Sequence, residues 1–174
     1  MSKFVIETAA DNLVALGYEV QNIEATDEVP SDQLMVLLPD DSEGRPRQLF
    51  YSMFPDLSEN LEDADLLQAF IKLPFVVERQ AVANLARLLV NINNKLALGE
   101  FSIRESDGLV FYRNVALMPH GSDVDEAWRK IVTENVFIAV FQLDEFTSVI
   151  EMVAIGDMSL EQAQKMDQRL DPFV

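Results

Sequence analysis

The residues of this chain most able to do chemistry are a single histidine and a large set of carboxylates, 30 in all. His120 lies between Pro119 and Gly121, in a predicted turn between a strand and a helix. One imidazole cannot form a two-histidine metal motif, and no Gly-x-Ser-x-Gly segment supplies a nucleophile for it. We therefore interpret His120 as an exposed turn residue.

Two acid-rich segments have the composition of a calcium loop but not its spacing. Counted from Asp123, the sixth position is Trp128, where an EF-hand loop needs glycine for its sharp turn. Counted from Asp40, glycine falls at the fifth position, Gly44. The two segments fit a helix first turn and a hairpin tip better, so we predict no metal site.

Motifs for nucleotide binding and thiol chemistry are absent from the sequence. It contains no Gly-x-Gly-x-x-Gly, no Gly-Lys-Ser/Thr phosphate loop and no cysteine. A hydrolase with a paired-carboxylate site stays open as an alternative, because two such acids would meet only in the folded chain. We predict no cofactor and no enzymatic activity.

Charge is distributed unevenly along the 174 residues, whose formal net charge is −17. Residues 1–64 hold 14 acids and 3 bases, residues 119–174 hold 11 acids and 4 bases, and residues 65–118 between them carry a net +1. An acidic field of this size repels phosphate backbones and anionic membranes, so we expect neither as a partner. It would steer a basic protein segment toward the chain.

The nearly neutral stretch contains the strongest structural pattern, a predicted helix over residues 77–98 with two apolar stripes. One stripe repeats at spacings of three and four and includes Leu85, Leu89 and Ile92. The second consists of small residues, Ala83, Ala86 and Val90. A surface helix needs only one apolar stripe. The second stripe therefore predicts a contact with another helix or subunit.

A β-hairpin is predicted to follow, turning at Asp107-Gly108. We expect a three-residue turn with Gly108 as a bulge, which sets Ile103 opposite Phe111 and gives one clean apolar face. The hairpin adds three residues to the predicted contact surface beside Ala83, Ala86 and Val90: Arg104, Tyr112 and Arg113.

The remaining patterns complete a predicted α+β domain over residues 1–174, with an antiparallel sheet of five to six strands packed against helices. A helix ends at Gly17, three strands follow by residue 54, and a capping box at Ser159 opens a short last helix. Residues 66–73 alternate and favour a fourth strand that ends at Pro74, while 136–141 fit either strand or helix. Residues 55–65 are predicted to form an acidic loop.

The helix and hairpin carry a family resemblance. A helix ending at Gly99, then Phe101-Ser102-Ile103, the Asp107-Gly108 turn and Val110-Phe111-Tyr112-Arg113 before a Ser/Asp-capped helix, resemble the YbjN-like family. The resemblance is closest to uncharacterised cyanobacterial members. It implies the fold of type III secretion chaperones, in the order helix, three strands, helix, two strands, helix, and a protein that acts by binding other proteins.

The sequence thus predicts a non-catalytic protein-interaction module, chaperone-like or regulatory, that forms a homodimer and favours a basic segment as partner. The longest apolar run, Val136–Phe141, is far shorter than the roughly 20 residues that span a bilayer. The first residues, from Met1 to Phe4, lack the basic and apolar regions of a secretory signal. We therefore expect a cytoplasmic protein.

Overall fold

The computed structural model describes residues 2–27, 31–54, 61, 64–119 and 125–170, with the backbone alone for 2–6 and 125. It confirms an α+β fold with a six-stranded antiparallel sheet. The interpretations of His120 and of the acids near Asp123 fall outside these residues, as does most of the predicted loop over 55–65.

The described part of the chain contains four α-helices and six strands. In chain order they are α1 (Ser2–Ala15), β1 (Glu19–Ile23), β2 (Gln33–Leu38), β3 (Arg47–Met53), β4 (Ala64–Val76), α2 (Val82–Asn93), β5 (Glu100–Arg104), β6 (Leu109–Pro119), α3 (Asp125–Ala154) and α4 (Leu160–Met166). The sheet order is β1-β2-β3-β4-β6-β5. No helix among the described residues has both the length and the apolar character to cross a membrane.

The structure assigns the secondary structure of two segments that the sequence left open. Residues 66–73 belong to β4, which confirms the predicted strand, although β4 continues beyond Pro74 to Val76. Pro74 has no N–H to offer a neighbouring strand, and the pairing of β4 with β3 ends before it, at Ile71. Residues 136–141 lie inside the single helix α3, so the strand alternative is wrong there.

The chain forms two compact units, the first containing Met1–Ile71 and Asn114–Val140, the second Lys72–Arg113 and Phe141–Val174. In the first unit, β2 is paired on both sides, with Val36 opposite Val20 of β1 and Leu49 of β3. Val36 and Leu49 are fully buried.

Helices cover one side of the sheet in the first unit, which we call the inner face. Tyr51 of β3 donates a hydrogen bond from its hydroxyl to the Val132 carbonyl of α3, at 3.2 Å. On α1, Asn12 donates to Thr133 Oγ1 of α3 at 2.8 Å, so α1 lies beside α3 on this same face. Alternate residues of the strands therefore point into a helix-covered core.

The second unit is organised around α2, which packs against β5 and α4. Leu85, Leu89 and Ile92 are buried, which confirms these members of the first predicted stripe, and Leu88 is buried beside them. The helix is shorter than the predicted 77–98, because β4 extends to Val76 and asparagines end the helix at Asn93.

The end of α2 changes the interpretation of Gly99. The glycine does have a left-handed backbone, with φ +74, but it lies at the entry to β5 and not directly after the helix. A Cβ at Gly99 would come within 2.2 Å of the Tyr112 hydroxyl, so the missing side chain also makes room for this ring.

The hairpin exists, but its predicted register is wrong by one residue. Arg104 pairs with Leu109 and Ile103 with Val110, so four residues form the turn instead of three. The Gly108 N–H donates to the Arg104 carbonyl at 3.0 Å, and Gly108 adopts φ +71. This turn still puts Phe101 opposite Tyr112, with both side chains buried. A clean apolar face was therefore available in either register.

The outer edge of β5 is occupied by a side chain. Asn93 accepts a hydrogen bond from the Phe101 N–H and donates one to the Phe101 carbonyl, both at 2.9 Å. The asparagine amide thus makes the two bonds that a residue of a neighbouring strand would make. Unpaired edge groups invite association with other chains, and this contact removes two of them.

Replacement of Asn93 by alanine should destabilise the protein by about 1–3 kcal/mol, because it leaves two backbone groups of Phe101 without their partners. The shift in the urea unfolding midpoint, at unchanged slope, measures this loss. Asn94→Ala is the matched control, because Asn94 is exposed and its side chain forms no hydrogen bond with the described residues. Equal shifts for the two variants would contradict the proposed role of Asn93.

Candidate functional site

The second stripe of α2 lies on the surface of its unit. Ala83, Ala86 and Val90 are all exposed, and 59% of the Val90 side chain is accessible. The three residues occupy one side of α2 at spacings of three and four, and the buried leucines occupy the other. We call these three residues the α2 stripe.

Small side chains give the α2 stripe a shallow profile, which allows another helix to approach closely. Arg87 lies next to it and is exposed, and α2 contains no acid. The only electrostatic contact described for Arg87 is a long-range one with Glu161, whose carboxyl pKa is lowered mainly by hydrogen bonds at its own helix start. The stripe thus lies on a helix that has no carboxylate of its own.

Both arginines predicted for the contact surface are exposed but held by acids of the same hairpin. Arg104 contacts Asp107 at 2.6 Å, and Arg113 contacts Glu100 at 2.5 Å across the β5–β6 pair. The Arg104 guanidinium lowers the pKa of Asp107 from 3.8 to about 2. A carboxylate from a partner would have to compete with these acids for either arginine.

Tyr112 does not lie on the surface, and its place in the predicted contact surface is wrong. Its ring is fully buried and packs edge-on against Phe101, which in turn contacts Phe146 of α3 in the same manner. Burial raises the pKa of the Tyr112 hydroxyl to about 12. The strand alternation that exposes Arg113 sends its neighbour Tyr112 to the core.

A cleft of about 530 Å³ opens at the end of β1 in the first unit. The part of its lining that the structure describes includes three acids, Glu7, Glu24 and Asp32, and neither a lysine nor an arginine. All three acids are exposed, and Asp32 accepts a hydrogen bond from the Ala25 N–H at 2.9 Å, which braces the loop after β1. The described lining of this cleft thus offers carboxylates that face water.

Among the described residues, no group of three or more His, Cys, Asp or Glu side chains could hold a metal ion. A second surface was not foreseen from the sequence, namely the side of the sheet opposite α1 and α3 in the first unit. The signal was present in Leu34–Leu38, whose residues are apolar on both faces: Leu34, Val36 and Leu38 are buried, and Met35 and Leu37 on the other side are partly exposed.

Tyr112→Phe should leave the free energy of unfolding unchanged within about 1 kcal/mol, because the buried hydroxyl has no hydrogen-bond partner to lose. Tyr51→Phe provides the contrast. Tyr51 is equally buried, but its hydroxyl donates to Val132, and its loss should cost about 1 kcal/mol or more. Urea unfolding of both variants tests this, and a larger loss at Tyr112 would show that its hydroxyl is bonded in solution.

An NMR titration of Asp107 should give a midpoint near pH 2, and Arg104→Gln should move it back toward 3.8. Because the folded-state pKa is lowered, this contact stabilises the fold fully above about pH 4 and less and less as the pH falls toward 2. An Asp107 midpoint that does not respond to Arg104→Gln would contradict the pairing.

Comparisons with known proteins found no match: no protein-family model, curated protein or solved structure matches this chain. The resemblance to the YbjN-like family therefore stays a prediction.

Proposed function

We propose that this chain is a non-catalytic protein-interaction module, chaperone-like or regulatory, that works as a homodimer. The observation that carries the proposal is the exposed α2 stripe, in which small apolar residues occupy a helix face that the unit does not need for its own core. The opposite face of α2 already supplies the buried Leu85, Leu88 and Ile92. A second apolar stripe on a helix is typical of a surface that binds another protein.

The charge of the chain supports a division of roles in binding. The acidic segments on either side of residues 65–118 would attract a basic protein from a distance, and long-range attraction of this kind mainly raises the rate of encounter. The α2 stripe, which lacks acids, would then make the close apolar contact. Nucleic acids and anionic membranes stay disfavoured as partners by the net charge of −17.

No feature of the described residues favours the hydrolase alternative over the binding function. The acid-lined cleft at the end of β1 exposes its described carboxylates to water. We therefore propose the binding function alone. The α2 stripe is its main contact, and the exposed Arg104 and Arg113 of the hairpin are secondary contacts.

Affinity capture from native lysate tests the proposal with a variant in which Ala86 and Val90 are both replaced by glutamate. We expect the wild type to retain a specific protein that this variant loses by tenfold or more, since two buried carboxylates would oppose an apolar contact. Phe141→Glu is the control, because Phe141 is 69% exposed on α3 and lies outside the stripe.

The capture is repeated at high salt to distinguish long-range attraction by the acidic segments from the apolar contact at the α2 stripe. Partial loss of the partner at high salt supports attraction by the acidic segments, because salt screens exposed charges. Capture of the same proteins by wild type and by the stripe variant, or loss of the partner with Phe141→Glu alone, would contradict the α2 stripe as the binding surface.

A further inference from the structure

The strand β1 forms one edge of the sheet, with β2 as its only neighbour among the described strands. In an antiparallel strand, alternate residues direct both the N–H and the C=O toward the same side. Two or three of the five residues of β1 therefore direct these groups away from β2. Within the described part of the chain, no residue of β1 forms a hydrogen bond outside its pairing with β2. The edge at β1 is therefore open, unlike the edge at β5, where Asn93 bonds Phe101.

The side chains of β1 leave this edge within reach of another chain. Glu19, Gln21 and Asn22 are exposed, whereas Val20 and Ile23 are half-buried. Edge strands are commonly protected against pairing by lysine, proline or a bulge. The strand β1 contains neither lysine nor proline, and its five residues pair one to one with those of β2. The strand is thus regular along its whole length and suited to accept a partner.

The acidic cleft of about 530 Å³ continues this edge at the end of β1. Asn22 and Ile23 of β1 belong to its lining, so a strand that pairs with β1 would reach it. The exposed acids Glu7, Glu24 and Asp32 lie in the same lining. The volume falls within the range of about 300–1,000 Å³ that small-ligand sites occupy. The cleft therefore offers both room and negative charge to the side chains of a bound segment.

Charge decides among the possible occupants of the β1 edge. Glu19 within β1 and the acids of the cleft oppose an acidic segment, and they equally oppose the β1 edge of a second copy, which carries the same acids. A segment rich in lysine or arginine is attracted instead, and no base within β1 opposes it. The backbone groups of the edge select an extended segment, because only an extended chain presents its own N–H and C=O groups at matching intervals.

We propose that β1 binds an extended, basic segment of another protein, which adds to the sheet as a further strand. Backbone hydrogen bonds with β1 supply the affinity, and the acids of the cleft select lysine and arginine side chains. The inference goes beyond the proposed function, because it uses β1 in the first unit and not the α2 stripe in the second. Its test leaves the α2 stripe unchanged, so the failure of one proposal is distinguishable from the failure of the other.

Fluorescence anisotropy of the full chain with a labelled peptide tests the inference. The parent peptide alternates lysine and valine and is blocked at both ends. Two further peptides keep these side chains but are N-methylated at alternate residues, one at the odd and one at the even positions. In an added strand, only one of these two sets of N–H groups points at β1. We therefore expect one N-methylated peptide to bind like the parent and the other to bind about tenfold more weakly or worse, since it loses its hydrogen bonds with β1.

Charge variants of the protein test whether the peptide lies at the cleft. Glu7→Gln with Glu24→Gln removes two exposed carboxylates of the cleft, and it should weaken binding of the parent peptide by about threefold to tenfold at low salt. Asp40→Asn with Glu43→Gln is the matched control, because it removes the same charge at exposed positions between β2 and β3, at the end of β2 away from the cleft. Circular dichroism should be unchanged in both double variants.

Three results would overturn the inference. Equal binding of the two N-methylated peptides would contradict an added strand, because attraction by charge alone does not distinguish them. Equal weakening by the two double variants would contradict the cleft as the place where the basic side chains bind. Absence of binding by the parent peptide up to high micromolar concentration would contradict the whole inference, while the capture test on the α2 stripe would stay valid.

Discussion

Alternation of side chains along the paired strands of the first unit is the constraint on which the rest of the structure depends. Leu34, Val36, Leu49 and Tyr51 lie on one side of β2 and β3 and have no accessible surface. Because the antiparallel register fixes which residues share a side, α1 and α3 can pack only where these residues point. A shift of one residue in either strand would reverse both faces, burying glutamines and exposing leucines.

Charge adds a second constraint that acts on the surface. Ion pairs neutralise the hairpin arginines with acids of their own hairpin, and the three acids of the β1 cleft stay in contact with water. Surface ion pairs contribute little stability, so these contacts mainly decide which charges face outward. The α2 stripe, on a helix without an acid, is the surface that the proposed contact uses.

The sequence allowed most of the fold to be predicted, because alternation and helical spacing report directly on burial. The fourth strand, the first stripe of α2 and the capping box at Ser159 all follow from local patterns, and the structure contains each of them. The hairpin register did not follow, because apolar residues stand at 109, 110 and 111 and suit more than one pairing. The observed pairing has a backbone hydrogen bond from the Gly108 N–H to the Arg104 carbonyl, and no pattern of side chains predicts such a bond.

The candidate surfaces were predicted less completely than the fold. Ala83, Ala86 and Val90 were found because a helix needs only one apolar side, whereas Tyr112 was misplaced because the hairpin register was still unknown. The last residue of α2, Asn93, forms two hydrogen bonds with the backbone of Phe101, which lies outside the helix. A contact between two elements adds no periodic pattern to either segment, so the sequence does not reveal it.

The occupied edge at β5 has a consequence for how this chain can assemble. The sheet has two terminal strands, β1 and β5, and Asn93 fills the bonding positions of Phe101 on one of them. A filament built by adding strands needs two open edges on every copy, one to give and one to receive. At Phe101 both outward backbone groups of β5 are already bonded, so a strand added at this edge would have to displace the Asn93 side chain. One asparagine side chain thereby opposes extension of the sheet at this position.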